Sequence, residues 1–243
     1  MPPRTMRVYL FDIDGTLIDA GGAGRRAMTA AFADVFGVHQ PFGAFDLLGR
    51  TDLNIVWEVC ERHLGVRPPE AEIARFFGRY VDRLELELQA GQGYRVLPGT
   101  RETVEHLAGR SDALLGLGTG NVQAGARLKL ARTGYAHHFR FGGFGDDGPD
   151  RPAVLRRGVE RALESGGAAA IASRDVWVVG DSVRDVEAAQ AIGATAVAIA
   201  AGWQPIEQLR AAGADLAFET MDGLLAWLRD ERPTRGEPRG EGA

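Results

Sequence analysis

Two stretches of this chain carry an unbroken apolar run straight into an aspartate. Val8-Tyr9-Leu10-Phe11 is followed by Asp12-Ile13-Asp14-Gly15-Thr16-Leu17, and Val176-Trp177-Val178-Val179 is followed by Gly180-Asp181. Runs of this kind fit parallel strands covered on both faces, and Gly15 ends the first with a turn. The acids then stand at the carboxyl edge of a sheet, where open α/β folds bind their ligands. Strand alternation points Asp12 and Asp14 the same way, so both can reach one cavity. Two like charges so close are costly unless a cation or a shared proton relieves them. The plain alternative is a turn with acidic caps.

Between these runs the periodicity changes. Arg25 to Phe36, Leu53 to Leu64 and Ala71 to Leu88 repeat apolar residues at helical spacing, with no strand pattern among them. Gly91 to Gly93 predict a loop, and Pro98-Gly99 opens a helix near Thr100. Strands are then expected at Ala113 to Leu117, Phe139 to Phe141, Val176 to Val179, Thr195 to Ala200 and Leu216 to Phe218. Helices are expected at Val122 to Arg132, Ala153 to Glu164, Val183 to Ile192 and near Pro205 to Ala211. Repeated βα units imply an α/β fold with a parallel sheet and helices on both faces. From Glu231 the chain is Arg, Gly, Glu and Pro with almost nothing apolar, which predicts a disordered tail over 231–243.

Other segments carry chemistry. Gly118-Thr119-Gly120-Asn121 is a small-residue turn between strand and helix, where a Thr119 hydroxyl and the Gly120 and Asn121 amides can cradle phosphate or simply cap the helix. Asp185 follows Asp181 by one helical turn on the same face, so both can point to the site of Asp12 and Asp14. Such an oxygen-rich cluster suits a hard divalent ion, and magnesium with retained waters fits best. In Leu48-Gly49-Arg50-Thr51-Asp52, Arg50 can meet an anionic substrate; the plainer reading is a solvated loop with Asp52 capping the next helix. The five histidines have no spacing that joins them to the acids as metal ligands.

The Asp12-x-Asp14-Gly15-Thr16 run resembles the first motif of the haloacid dehalogenase superfamily, and the later motifs follow in order. Thr119 matches the second, and Gly180-Asp181-x-x-x-Asp185 matches the fourth. The resemblance implies a Rossmann-like core over 1–18 and 95–230, with an all-helical cap at 19–94 similar to that of the phosphoglycolate phosphatase and β-phosphoglucomutase branch. It implies Asp12 as the nucleophile and Asp14 as the acid/base. Metal ligands would be side-chain oxygens of Asp12 and Asp181 and the backbone carbonyl of Asp14, with Asp185 acting through water or by orienting its neighbours.

The third motif departs from the family, in which a lysine precedes proline. Here the segment reads Asp150-Arg151-Pro152, and among 28 basic residues Lys129 is the single lysine. Lys129 lies eight residues past Asn121, roughly 12 Å along a helix at ~1.5 Å per residue. That offset favours Arg151 as the phosphate-neutralising cation and reads Lys129 as a surface or packing residue, unless codon bias alone explains it.

A chain of 243 residues with 45% apolar content can bury a sizeable core. The net charge of −5 predicts no nucleic-acid partner, the lone Cys60 permits no intrachain disulfide, and no apolar stretch approaches membrane length. With no signal-peptide pattern at Met1 to Met6, a cytoplasmic setting is expected. The expected activity is a magnesium-dependent phosphatase for a small phosphorylated metabolite. A β-phosphoglucomutase-like mutase and a binding protein on the same fold stay open. The missing cap lysine argues against a Schiff-base hydrolase, and Asp14 against a dehalogenase.

Overall fold

Alternation along the central strand divides its side chains between two cores. In the computed structural model, which describes residues 6–43, 45–165 and 171–230, this strand is β1 (Arg7–Phe11). Val8 and Leu10 pack on one face with Val176, Val178, Ala196 and Ala198. Tyr9 and Phe11 pack on the other with Leu115, Leu117, Trp177 and Val179. Burial on both faces is the reason the run holds no charged position.

The sheet adds β4 (Ala113–Gly118), β5 (Phe141–Gly143), β6 (Val176–Gly180), β7 (Thr195–Ile199) and β8 (Leu216–Phe218), all parallel, in the order β5-β4-β1-β6-β7-β8. The winding reverses at β1, with β4 and β5 on one side and β6 to β8 on the other. A crevice at such a reversal is where open α/β sheets take ligands. Asp12 and Asp181 are the first residues beyond the two strands that flank it. The expected α/β parallel-sheet fold is what the structure shows.

Helices α1 (Ala23–Phe36), α2 (Asp52–Leu64) and α3 (Glu70–Ala90) lie between β2 (Ile18–Ala20) and β3 (Tyr94–Val96), which pair antiparallel. This ribbon, only three residues per strand, sits where the sequence places the edges of the helical insert and is too short to show a period of two. The remaining helices are α4 (Thr100–Ala108), α5 (Gln123–Leu130), α6 (Arg151–Glu164), α7 (Val183–Ala191), α8 (Ile206–Ala211) and α9 (Met221–Asp230). Helix α9 lies beyond the elements that the periodicity predicts.

Strand β5 is displaced from the expected Phe139 to Phe141, because Ala136–His138 form a 3-10 turn. Its two glycines read as breakers, yet a Cβ on Gly143 would lie 1.8 Å from the Val154 carbonyl oxygen of α6. Close packing of helix on strand, not turn chemistry, requires glycine there. The expected tail from Glu231 lies outside the described residues.

Candidate active site

Three helix starts place the chemistry. Thr51 Oγ1 accepts the Asn54 N–H at 3.2 Å, so Asp52 opens α2. Asp150 Oδ1 accepts the Ala153 N–H at 2.8 Å with Pro152 in the first turn, so Arg151 opens α6 towards the strand ends. Ser182 and Asp185 close a reciprocal capping box on α7. Caps of this type contribute about 1 kcal/mol each and also fix the direction of the first-turn side chains.

Asp12, Asp14, Arg50, Gly120, Asn121, Arg151 and Asp181 line one cavity of about 530 Å³, together with Lys129, Asp52 and Tyr80. Thr119 is fully buried beneath them, its hydroxyl near the Asp12 carboxylate and accepting from Asn121 Nδ2 at 2.8 Å. Asp185 stands behind this wall. Its Oδ1 takes Arg151 Nη2, and its Oδ2 accepts the Ser182 hydroxyl at 2.6 Å. Arg151 Nη2 also lies 3.5 Å from Asp12 Oδ1.

Ligand oxygens of Asp12, Asp181 and Asp185 fall within 4.8 Å of one another. Asp181 Oδ1 accepts the Thr16 hydroxyl at 3.5 Å, whereas its Oδ2 is buried with no well-aligned donor among the described residues, the Trp203 backbone N–H only approaching the carboxylate. Gly15 has φ of 81°, and a Cβ there would lie 2.2 Å from that oxygen. The turn after β1 is thus built so that the Asp181 carboxylate can approach. A buried anionic acceptor left without a well-aligned donor fits a bound cation. Arg151 Nε is likewise buried without a partner among the described residues, a donor of the kind an anionic oxygen would meet.

The charges are out of balance. Burial pushes the Asp12 carboxyl up to about 6, assisted by the Asp185 and Asp14 carboxylates and opposed by Arg151 and the Thr119 hydroxyl. Burial, with Asp185, Asp12 and Asp14 adding to it, holds Asp181 well above the usual carboxylate range. Only Lys129 and Arg151 make ion pairs with these four aspartates among the described residues. A divalent cation would reverse the penalty.

Lys129 differs from its sequence expectation. It is neither a surface nor a packing residue: its side chain is 5% exposed, with Nζ 2.6 Å from Asp14 Oδ2 and 2.6 Å from Asn121 Oδ1. Side chains on a helix lean towards its N-terminus, and a flexible four-carbon stem recovers the axial offset that argued against it. The two cations do not compete for one position. Arg151 meets Asp12, and Lys129 meets Asp14.

The amides expected to cradle phosphate are also partly engaged. Asn121 N–H donates to Thr119 Oγ1 at 3.3 Å, Val122 N–H to Asp52 Oδ2 at 2.8 Å and Gln123 N–H to Asp146 Oδ1 at 3.1 Å. The start of α5 therefore binds the chain's own carboxylates. Arg50 is held by Asn54 Oδ1 at 3.0 Å and by Glu58, with its guanidinium 4.5 Å over the Phe45 ring. The sequence reading has Asp52 capping α2, but Thr51 fills that position and Asp52 instead accepts the Val122 N–H at the start of α5. The signal for Lys129 was its being the only lysine.

A family model described as haloacid dehalogenase-like hydrolase matches residues 6–193. A phosphoglycolate phosphatase from Synechococcus elongatus is 28% identical over 230 residues, which is 90% of this chain and 96% of that one. Among solved structures, a hydrolase from Pseudomonas syringae superposes with a TM-score of 0.69 at 23% identity, over 93% of this chain and 99% of that one. A predicted phosphoglycolate phosphatase from Haemophilus somnus gives a TM-score of 0.65 at 21% identity, over 94% and 100%. Among the described residues no helix is long and apolar enough to cross a membrane. With the family match extending over most of the chain, through both strand-end aspartates and the basic residues that face them, this protein belongs to the haloacid dehalogenase-like hydrolases.

Proposed function

We propose that the chain is a magnesium-dependent phosphatase that hydrolyses a small phosphomonoester, phosphoglycolate-like in size, through a phosphoaspartate. The observation that carries this reading is the buried Asp181 carboxylate beside Asp12, with ligand oxygens within 4.8 Å, and on the same wall Arg151 Nε, which has no partner among the described residues. One oxygen fits a cation and one nitrogen fits a phosphoryl oxygen. Asp12 and Asp181 supply side-chain oxygens for magnesium, and Asp14 its backbone carbonyl. Asp185, whose oxygens are engaged by Arg151 and Ser182, positions Arg151. The bound ion would supply neutralising charge against these carboxylates and the phosphoryl oxygens.

In this reading an Asp12 oxygen attacks phosphorus as the ester P–O bond breaks, and protonated Asp14 gives its proton to the leaving oxygen. The Asp14 carboxylate then takes a proton from water. That water's oxygen attacks phosphorus, the bond to Asp12 breaks, and phosphate leaves. Thr119 and Arg151 hold the phosphoryl oxygens, and the insert keeps bulk water away. The phosphoglycolate phosphatase relative supports the substrate size.

Phosphate release from a panel of small phosphomonoesters, with and without magnesium, tests this reading, with Asp12→Asn as control. Expected is release that needs both the metal and Asp12. Turnover that survives Asp12→Asn overturns the mechanism, and an inactive folded wild type overturns the function.

A further inference from the structure

Asp14 is held asymmetrically. Its Oδ2 accepts two hydrogen bonds, from Lys129 Nζ at 2.6 Å and Asn121 Nδ2 at 2.9 Å. Its Oδ1 accepts none among the described residues, although the side chain is 38% exposed on the cavity wall. We propose that Lys129 is a positioning residue for Asp14: by fixing Oδ2 it presents Oδ1 as the one oxygen that exchanges a proton with the leaving group and with water. The proposal rests on the phosphatase reading and adds to it a residue outside the motifs matched above.

A second observation explains why the residue is lysine. The other 27 basic side chains are arginine, so the chain uses arginine wherever either would serve. Insert helices approach the Lys129 ammonium closely. A Cβ on Gly24 of α1 would lie 3.3 Å from Nζ, and that same point is 3.7 Å from the Tyr80 hydroxyl of α3. Insert helices thus close over the ammonium while Asp14 and Asn121 take it from below. A compact ammonium points its donors at both acceptors from this position, whereas a guanidinium is a planar fork of different reach.

The test compares two esters. An aryl ester, p-nitrophenyl phosphate, expels a leaving group that needs no proton. An alkyl phosphate needs one, and kcat/KM reports the step in which it leaves. For Lys129→Met, expected is a loss of roughly a hundredfold or more on the alkyl ester, the range of a lost general acid, with less than tenfold on the aryl ester. Lys129→Ala should regain alkyl activity with added ethylamine but not with ethanol, and Lys129→Arg should not rescue. Gly24→Ala guards against a folding artefact, since alanine is the better helix former. Expected is an undiminished Tm with an alkyl-selective loss of about tenfold, as its methyl crowds the ammonium. Equal losses on both esters in Lys129→Met and Gly24→Ala, without amine rescue, overturn the positioning role and leave the phosphatase reading standing. A wild type inactive on both esters overturns both.

Discussion

The Asp52 carboxylate, at the first turn of the insert helix α2, accepts the backbone N–H of Val122 at 2.8 Å, where the core helix α5 begins. In the same junction the Asp52 N–H donates to the Gly120 carbonyl at 2.7 Å, and Thr51 Oγ1 donates to the Pro149 carbonyl at 3.0 Å. An acid from the insert therefore occupies the positive end of a core helix, the place where free anions bind in other α/β proteins. Insert and core are joined by polar bonds directly beside the proposed phosphate site.

That joint should respond to pH. Burial pushes the Asp52 carboxyl up to about 7, opposed by Lys129 and the Val122 N–H. The folded state then holds this proton more tightly than the unfolded chain between about pH 4 and pH 7, so stability falls as pH rises across that window. The full penalty, up to about 4 kcal/mol for a shift of this size, stands above pH 7. Asp52→Asn keeps an acceptor for Val122 and removes the charge. Melting curves should show the variant equal to wild type below about pH 4 and several degrees higher at pH 8. Parallel curves across that range would sink the assignment.

Asp181 gives a prediction that reverses with metal. Its carboxyl is held well above its usual range by burial and by Asp185, Asp12 and Asp14, so the charged form is costly in the metal-free protein. By the same sign argument Asp181→Asn should melt above wild type at pH 8 in the presence of a chelator. Magnesium at a hundred times its Kd should raise wild type by about 2.7 kcal/mol and the variant by much less, so the order inverts. An equal gain in both proteins would remove Asp181 from the metal site.

What the sequence made legible follows from range. Asp12 and Asp181 were readable because each follows an apolar run that fits a strand buried on both faces, which sets the acid at the carboxyl edge of the sheet. The fold class followed from the alternation of those runs with helices. Lys129 was misread because distance along a helix axis says nothing about where a flexible side chain folds back. Asp52 was hidden because its partners, Gly120 and Val122, are far away in the chain. Strands β2 and β3 were missed for the same reason: three residues carry no period, and only their pairing makes them strands.

Arg151 separates charge from geometry. It is buried between Asp12 and Asp185, and removing it leaves two buried carboxylates without their cation. Arg151→Met should cost about 3–5 kcal/mol and nearly all turnover. Arg151→Lys keeps the positive charge but loses the planar fork and the Nε donor that has no partner among the described residues. Thermal melts should therefore place the lysine variant near wild type, while steady-state kinetics show KM for the phosphoester raised about tenfold. A lysine variant as unstable as the methionine one would show that Arg151 acts by shape alone.

Phe76 of α3 tests whether the insert melts by itself. Its ring lies 4.5 Å from Phe32 and 5.8 Å from Phe36 of α1, and it is fully buried. Truncation to alanine should cost about 3–5 kcal/mol, and replacement by leucine much less. Phe76 belongs to one apolar cluster that also holds Tyr80 and Ile55 of the insert and Phe11 and Tyr9 of the sheet. A cavity in it should therefore lower the stability of the whole molecule in one step. Far-UV circular dichroism follows all the helices, whereas in a Trp57→Phe, Trp203→Phe background tryptophan fluorescence reports Trp177 and Trp227, which pack together at 5.6 Å beside the core strands. The two signals should lose structure together in Phe76→Ala, at a lower temperature than in wild type. If helix content falls first while the core tryptophans stay native, the insert is an independent folding unit and the shared cluster does not couple it to the site.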